Sequence, residues 1–458
     1  MKLAKSLLLG TAAALAGVAG AQAADLPVTK TAPVEYVRVC STYGEGFFYV
    51  PGTDSCLRVG GRVRVDVLYT EPLARANDAF GTRVRGRIQL DHRTATAYGL
   101  LRTFVRFEIT RNTGSPFGLE RTIGTSPDLA QAFIQFGGLT AGRVTSFFDN
   151  PDLPTEHMGT LRFSDAPDVN LLAYTFSFGN GFSATVSLED AQERRVTGVP
   201  FGLAGITDGP IAFTYGGQRM PDVVANVRYA GTWGSVQLSG AVHQVRDVGG
   251  AFAAGTLAPG YADTDYGFAV GLQAGINLPF LGAGDVAWIA LTYTDGAVGY
   301  ILGGGGTGTS LSAGTLALPV TDAFINPFSG DFETTRAYSI AGGVTHNWTP
   351  NWRSSLFGSW ARFEVPGSGS FVDVNPASPS FGTRVGFVDF DEYRVGANTF
   401  WSPVSGLNLG VEVLYTRIDS RGRVLVGEGD VSGIGGGFTR ARGSEDIWEG
   451  RLRIQRDF

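Results

Sequence analysis

From Leu57 onward the chain alternates, residue by residue, between apolar and charged side chains, and a period of two over this length points to β-strands rather than helices. Leu57, Val59, Val63, Val65, Val67 and Tyr69 share one face, with Arg58, Arg62, Arg64 and Asp66 on the other. The next run opposes Val84, Ile88 and Leu90 to Arg83, Arg85, Arg87, Gln89, Asp91 and Arg93. A third opposes Leu101, Val105, Phe107 and Ile109 to Arg102, Arg106 and Glu108. A soluble sandwich alternates in the same way, so these strands alone do not say which face meets water.

The connections decide. Sixteen candidate strands are joined by links that alternate between short and long. The short links are Thr94 to Ala97, Gly137-Gly138, Gly179-Asn180-Gly181, Gly231 to Gly234, Pro279 to Gly284, Thr349-Pro350-Asn351 and Ser402 to Gly406. The long ones lie near residues 70–81, 111–128, 147–170, 190–221, 247–264, 295–334, 364–388 and 419–444. Short turns at one end and long loops at the other predict an all-β fold, a transmembrane antiparallel β-barrel with an even strand number. Aromatic residues flank the turns: Phe136, Phe178, Phe182, Tyr229, Trp233, Phe280, Trp348, Trp352 and Trp401. Their spacing suits a girdle at the headgroup level, against the alternative of ordinary strand-end packing. The last strand, Asp446 to Phe458, puts Trp448, Leu452, Ile454 and Phe458 opposite Glu449, Arg451, Arg453 and Asp457. Arg456 interrupts the apolar row near its end, where depth makes a charge cheaper.

Composition agrees. The 66 glycines among 458 residues are about twice the usual share, as many turns require. Past the first twenty or so positions, no apolar run approaches the roughly 18 residues of a membrane helix. At the start, Lys2 and Lys5 precede an apolar run from Leu7 to Val18 and the small-x-small triplet Ala21-Gln22-Ala23. Residues 1–23 thus read as a signal peptide cleaved before Ala24. Loss of Lys2 and Lys5 leaves 34 basic and 42 acidic residues, an acidity that argues against nucleic acid as a partner. Lys30 is then the only lysine. All other fixed cations are arginines, suited to a wall that meets partly desolvated ions, although codon bias yields the same ratio. Cys40 and Cys56, sixteen apart in an exported chain, predict a disulfide, and no histidine before His92 offers a metal site instead.

Two segments resemble a known family. VCSTYGEGFFYVPGTDSCLRVGGRVRVDV (Val39 to Val67) and AFIQFGGLTAGRVTSFFD (Ala132 to Asp149) look like the porins of alphaproteobacteria related to Brucella and the rhizobia, and the likeness runs from Ala24 to Phe458. It implies a sixteen-stranded trimeric general-diffusion porin in the outer membrane of a Gram-negative bacterium, set among lipid and lipopolysaccharide. Its third long loop, here Phe147 to Asn170, would fold into the lumen. The terminal Phe458 resembles the signal read by the barrel assembly machinery. Residues 24–56 would form an N-terminal segment, at the periplasmic mouth or inside the lumen, and 57–458 the barrel.

Sixteen strands enclose more space than side chains fill, so the polar face would line water. Arg58, Arg62, Arg64, Arg83, Arg85, Arg87, Arg93, Arg102 and Arg106 would then form a basic wall, and Asp149, Asp152, Glu156, Asp165 and Asp168 an acidic loop facing it. Such a pair gives a transverse field; the alternative is a solvated charge face with no tuned geometry. A row of small residues, Ala337, Ser339, Ala341 and Gly343, would suit packing between subunits. No catalytic constellation emerges: His92, His157, His243 and His346 lie on separate elements, and Gly303, Gly305 and Gly308 match a nucleotide-loop spacing with no amphipathic helix after them. His157 reads as a polar loop residue. Asp389, Asp391 and Glu392 read as a solvated loop before a rim site for a divalent ion. A passive channel for small hydrophilic solutes, without cofactor, metal or enzymatic activity, is the favoured reading. The alternative is a binding or anchor protein with an occluded lumen.

Overall fold

The computed structural model describes residues 38–72, 77–114, 123–197, 215–247, 251–253, 256–258, 264–307, 309–314, 316–325, 332–366, 370–372, 384–427 and 438–458. The residues read as a leader, the expected cleavage point and Lys30 lie outside them, as does Gly308. Sixteen antiparallel strands close on themselves. In chain order they are β1 (Cys56–Thr70), β2 (Phe80–Thr96), β3 (Gly99–Thr113), β4 (Ile123–Phe136), β5 (Leu139–Thr145), β6 (Asp168–Gly179), β7 (Phe182–Glu189) and β8 (Asp222–Gly231). These are followed by β9 (Gly234–Arg246), β10 (Thr264–Asn277), β11 (Val286–Asp295), β12 (Arg336–Thr349), β13 (Trp352–Glu364), β14 (Phe390–Val404), β15 (Leu407–Gly427) and β16 (Phe438–Asp457). Each pairs with the next, and β16 returns to β1 in the register Arg62 to Asp457 through Thr70 to Glu449. Closure leaves no unpaired edge to the barrel, the condition for crossing a bilayer with strands.

At the seam the backbones of Gly61 and Phe458 exchange hydrogen bonds of 2.8 and 3.0 Å. A Cβ on Gly61 would stand 2.4 Å from the Phe458 ring, so the terminal residue can lie there only because position 61 has no side chain. The barrel is apolar outside. Val59, Val84, Ile88, Phe107, Ile109, Leu172, Val227, Leu238, Ile340, Leu356, Val411 and Leu452 are exposed, Ile88 at 57%. Surface of this kind is favourable against hydrocarbon, where water would charge about 25 cal/mol for each Å². At the turn end the outward rings recur, Phe280 at 78% exposure, with Trp352 stacked on Trp401 at 5.8 Å and Phe182 against Tyr229 at 4.7 Å.

Cys40 and Cys56 form a disulfide. It ties the short strand Phe47–Tyr49 to the start of β1 at the turn end, where Arg93 lies over the Phe47 ring at 4.8 Å. Replacing both cysteines with serine should lower stability by up to about 3 kcal/mol while leaving open-channel conductance nearly unchanged. Urea unfolding followed beside bilayer recordings checks both halves of this expectation.

One expectation is overturned. Ala337, Ser339 and Ala341 are buried inside the barrel, and the outward row of β12 is Tyr338, Ile340 and Val344. Ala337 packs against Val298, Leu311 and Phe363, and Ala341 against Leu161, Phe163 and Trp288. These positions are small because chain segments lie against them from within. They say nothing about a neighbouring subunit.

Candidate functional site

The inner face of β1 to β3 concentrates positive charge by register. Arg62 stands opposite Arg87 and Arg64 opposite Arg85, a like-charge placement that repels unless carboxylates intervene. Three do. Asp66 accepts from Arg83 at 2.8 Å and from Arg453 at 2.6 Å, and Asp91 is held by Arg93 and Arg102 at 2.8 and 3.0 Å. Glu108 accepts from Arg87 at 2.6 Å and pairs with Arg85 at 3.1 Å. Five guanidiniums of these strands, with Arg453 of β16, thus share three buried carboxylates, and the side chains of Arg62, Arg83, Arg85, Arg87, Arg93 and Arg102 keep 16–27% of their surface open. Arg102 and Arg106 also lie over the Phe104 ring at 5.2 and 5.5 Å, while Arg58 is exposed near the disulfide end.

Opposite this wall, residues 146–167 run along the inside of the barrel. Ser146 Oγ and the Phe147 amide donate to Glu189, Asn226 and Gln237 donate to the Phe147 carbonyl, and Phe148 is buried against Tyr300, Val224 and Ala269. Further along, the amides of Met158 and Gly159 donate to Glu412 on β15 at 2.6 and 2.5 Å, and Arg451 donates to the Met158 carbonyl. Arg162 is locked to Glu392, which Arg394 also binds at 2.8 Å. The segment is therefore fixed to β7 to β10 and β13 to β16, and it approaches β1 only across the cavity it shares with Arg62 and Arg64.

Its acids have different surroundings. Asp149 is buried and accepts from Ser164 Oγ at 2.7 Å and Gln273 at 2.9 Å, closing the segment on itself. Asp152 pairs with Arg228, and Glu156 lies 3.4 Å from Arg353. Asp165 keeps 39% of its side-chain surface open, 3.7 Å from His157 Nε2; the mass of segment and wall around it pushes its carboxyl up to about 6. Asp168 begins β6 and accepts from Gln131 at 2.6 Å and Thr145 at 2.9 Å. His157 sits among the rings of Phe163, Trp288 and Phe357, so it is a packed residue where a polar loop residue was expected. Glu392, expected on a solvated loop, is a fully buried wall residue, because its β14 position faces inward under Arg162.

The segment from residue 296 to 325 also turns inward, a feature the glycine-rich sequence did not announce. Its hairpin, Ser310–Ala313 with Leu316–Pro319, buries Leu311, Ala313, Leu316 and Leu318 against Ala361, Phe363, Phe390 and Ile418 on β13 to β15. The glycines serve the crossing: Gly303 (φ 76°) ends a helical turn at Gly299–Leu302, and a Cβ on Gly305 would lie 2.0 Å from the Arg195 carbonyl. Asp322 pins the base, accepting from the Val196 and Val298 amides at 2.7 and 2.8 Å and from Tyr215 Oη at 2.7 Å. Tyr215 meets His243, whose other ring nitrogen meets Asp222, which accepts from Tyr300 Oη. Burial pushes the Asp322 carboxyl up to about 6. No cluster of metal-binding side chains occurs among the described residues.

Comparison with known proteins agrees with this architecture. A family model described as Porin subfamily matches residues 25–441. Porin Omp2b of Brucella neotomae is 30% identical over 99% of both chains. Porin Omp2b of Brucella canis is 39% identical over 245 residues, 51% of this chain and 64% of that relative's length. In structure, the outer membrane channel DcaP of Acinetobacter baumannii superposes with a TM-score of 0.58 at 15% identity, covering 90% of this chain and 99% of the other.

Proposed function

The chain belongs to the porin subfamily, and on that premise we propose that its barrel is a passive, water-filled channel for small hydrophilic solutes across the outer membrane of a Gram-negative cell. The observation that carries this reading is a closed sixteen-stranded barrel, apolar outside, whose inner wall bears partly open guanidiniums. Residues 147–170 act as the constriction, and the arginines of β1 to β3 with Glu156 and Asp165 set its field. The inward hairpin at 310–319 favours a second reading, a largely occluded barrel that works as a binding or anchor protein. Planar-bilayer recording separates the two. Discrete, ohmic conductance steps are expected, and a folded barrel that inserts without steps would leave the second reading.

Three partners complete the proposal. The channel assembles as a homotrimer, an expectation resting on the family alone now that the small-residue row of β12 faces inward; native mass measurement in mild detergent showing only monomers would remove it. The outer apolar band meets lipid and lipopolysaccharide. Phe458, at the closing seam, is the residue offered to the barrel assembly machinery.

A further inference from the structure

Beneath the inward segment, on the turn side, lies a cavity of about 300 Å³ lined by Arg62 and Arg64 of β1, Arg353 of β13 and Arg453 of β16, with Glu156 and His157 on its segment side. Four guanidiniums thus meet one lining carboxylate. Three of them are held by one edge: Arg62 Nε bonds Asp457 at 2.5 Å, Arg64 Nε bonds Gln455 at 2.9 Å, and Arg453 Nε bonds Asp66 at 2.6 Å. Among the described residues their terminal Nη groups have no hydrogen-bond partner, which leaves the donor ends of these forks for water or a solute. Arg353 lies over the Phe400 ring at 4.7 Å, reaches Ser402 at 3.1 Å and Glu156 at 3.4 Å, and keeps a buried Nε with no partner. His157, its side chain 94% buried, donates from Nδ1 to the Gly159 carbonyl at 2.7 Å. Its Nε2 has no hydrogen bond, and Asp165 stands 3.7 Å away.

An array of guanidinium ends around a partly open volume of this size matches an oxyanion bearing two charges, whose oxygens take paired N–H donors. A chloride ion is one spherical acceptor of single charge and cannot engage several forks through separate oxygens. We propose that this cavity is a binding subsite for a phosphate group, carried by inorganic phosphate or a small phosphate monoester, on the path of the channel. The subsite rests on the channel reading for its role in permeation, and on the cavity alone for its binding.

The test has two arms with separate failures. In bilayers held at constant ionic strength, inorganic phosphate should reduce the chloride current saturably at millimolar concentration, and R64Q/R353Q should weaken that block at least tenfold. Each channel is referred to its own chloride conductance, and R111Q, on the outer side of β3, serves as the control arginine. Glycerol phosphate in place of phosphate distinguishes a site that takes esters from one that takes only the free ion. In parallel, phosphorus NMR line broadening on the folded protein in detergent reads binding without conduction. Heat-modifiable gel mobility confirms that each variant is folded. Absence of chloride steps would overturn the channel reading while the NMR arm still judges the cavity. Phosphate block that tracks chloride substitution linearly, or equal broadening in wild type and R64Q/R353Q, would overturn the subsite.

Discussion

Replacing Ser310–Pro319 with a two-residue turn should at least double the single-channel conductance. The splice is geometrically simple, because the Val320 amide already donates to the Thr309 carbonyl at 3.0 Å, so the flanking residues are neighbours. What leaves is the apolar hairpin packed on β13 to β15, and with it one side of a second cavity of about 590 Å³ bounded by Arg162, Gly303, Leu311, Arg394 and Arg451. Burying each leucine is worth about 2 kcal/mol, so the truncated protein should also unfold earlier, by an amount read independently in urea. An unchanged conductance in a folded, truncated barrel would show that the hairpin lies off the permeation path.

The same segment should respond to acid. Asp322 titrates near 6 when the segment is docked, against about 3.9 when solvated. Because the docked pKa is the higher one, docking is favoured below about 4, and that advantage is lost as pH rises through about 6. The facing groups are His243, Asp222, Tyr215, Tyr300 and Arg195. Acidification from pH 7 to 5 should therefore quiet open-channel fluctuations, and D322N should flatten the response. A wild-type record with no pH dependence across that range would contradict the assignment of Asp322 as the pin.

How far such features could be read beforehand depends on the range of the interactions that make them. Strand count and turn positions were legible because both are local: a period of two needs neighbours only, and turns such as Gly179-Asn180-Gly181 carry their own backbone requirement, with all three residues at positive φ. The inward hairpin was not legible, since Leu316 is apolar for the sake of Phe363 and Ile418, far along the chain. The parity of β12 could have been found from its larger row, Ile340 and Val344, which belongs against lipid, instead of its smaller one. Arg353 gave less signal still, one of two arginines on β13, whose arginine neighbours in the cavity come from β1 and β16. The loop acids show the same divide. Their sequence positions were plain, but whether a carboxylate stays partly open, as Asp165 does, or is tied into the segment, as Asp149 is, is decided by partners such as Gln273.

That divide fixes how ion preference should be tested. Neutralising Arg62, Arg85 and Arg106 together as glutamines should move the reversal potential toward cation preference by at least roughly 10 mV under a tenfold salt gradient, of the ~59 mV such a gradient is worth to a single charge. The three lie on adjacent strands of one wall, and Arg106 Nε has no hydrogen-bond partner, so its charge is the least compensated by a neighbouring carboxylate. Neutralising Glu156 and Asp165 should move the potential the opposite way. Asp149 does not belong in that set, because removing its charge disturbs the contacts with Ser164 and Gln273 that hold the segment in place. Screening lengths near 8 to 10 Å at 0.1–0.15 M and about 3 Å at 1 M mean that both shifts should shrink at high salt. Guanidinium stems also fill volume, so conductance can rise in the arginine variant for steric reasons alone, and the sign of the shift is the cleaner reading. Shifts of the same sign from the two sets, or none from either, would refute an opposed-charge constriction and leave a channel whose selectivity is set elsewhere along the barrel.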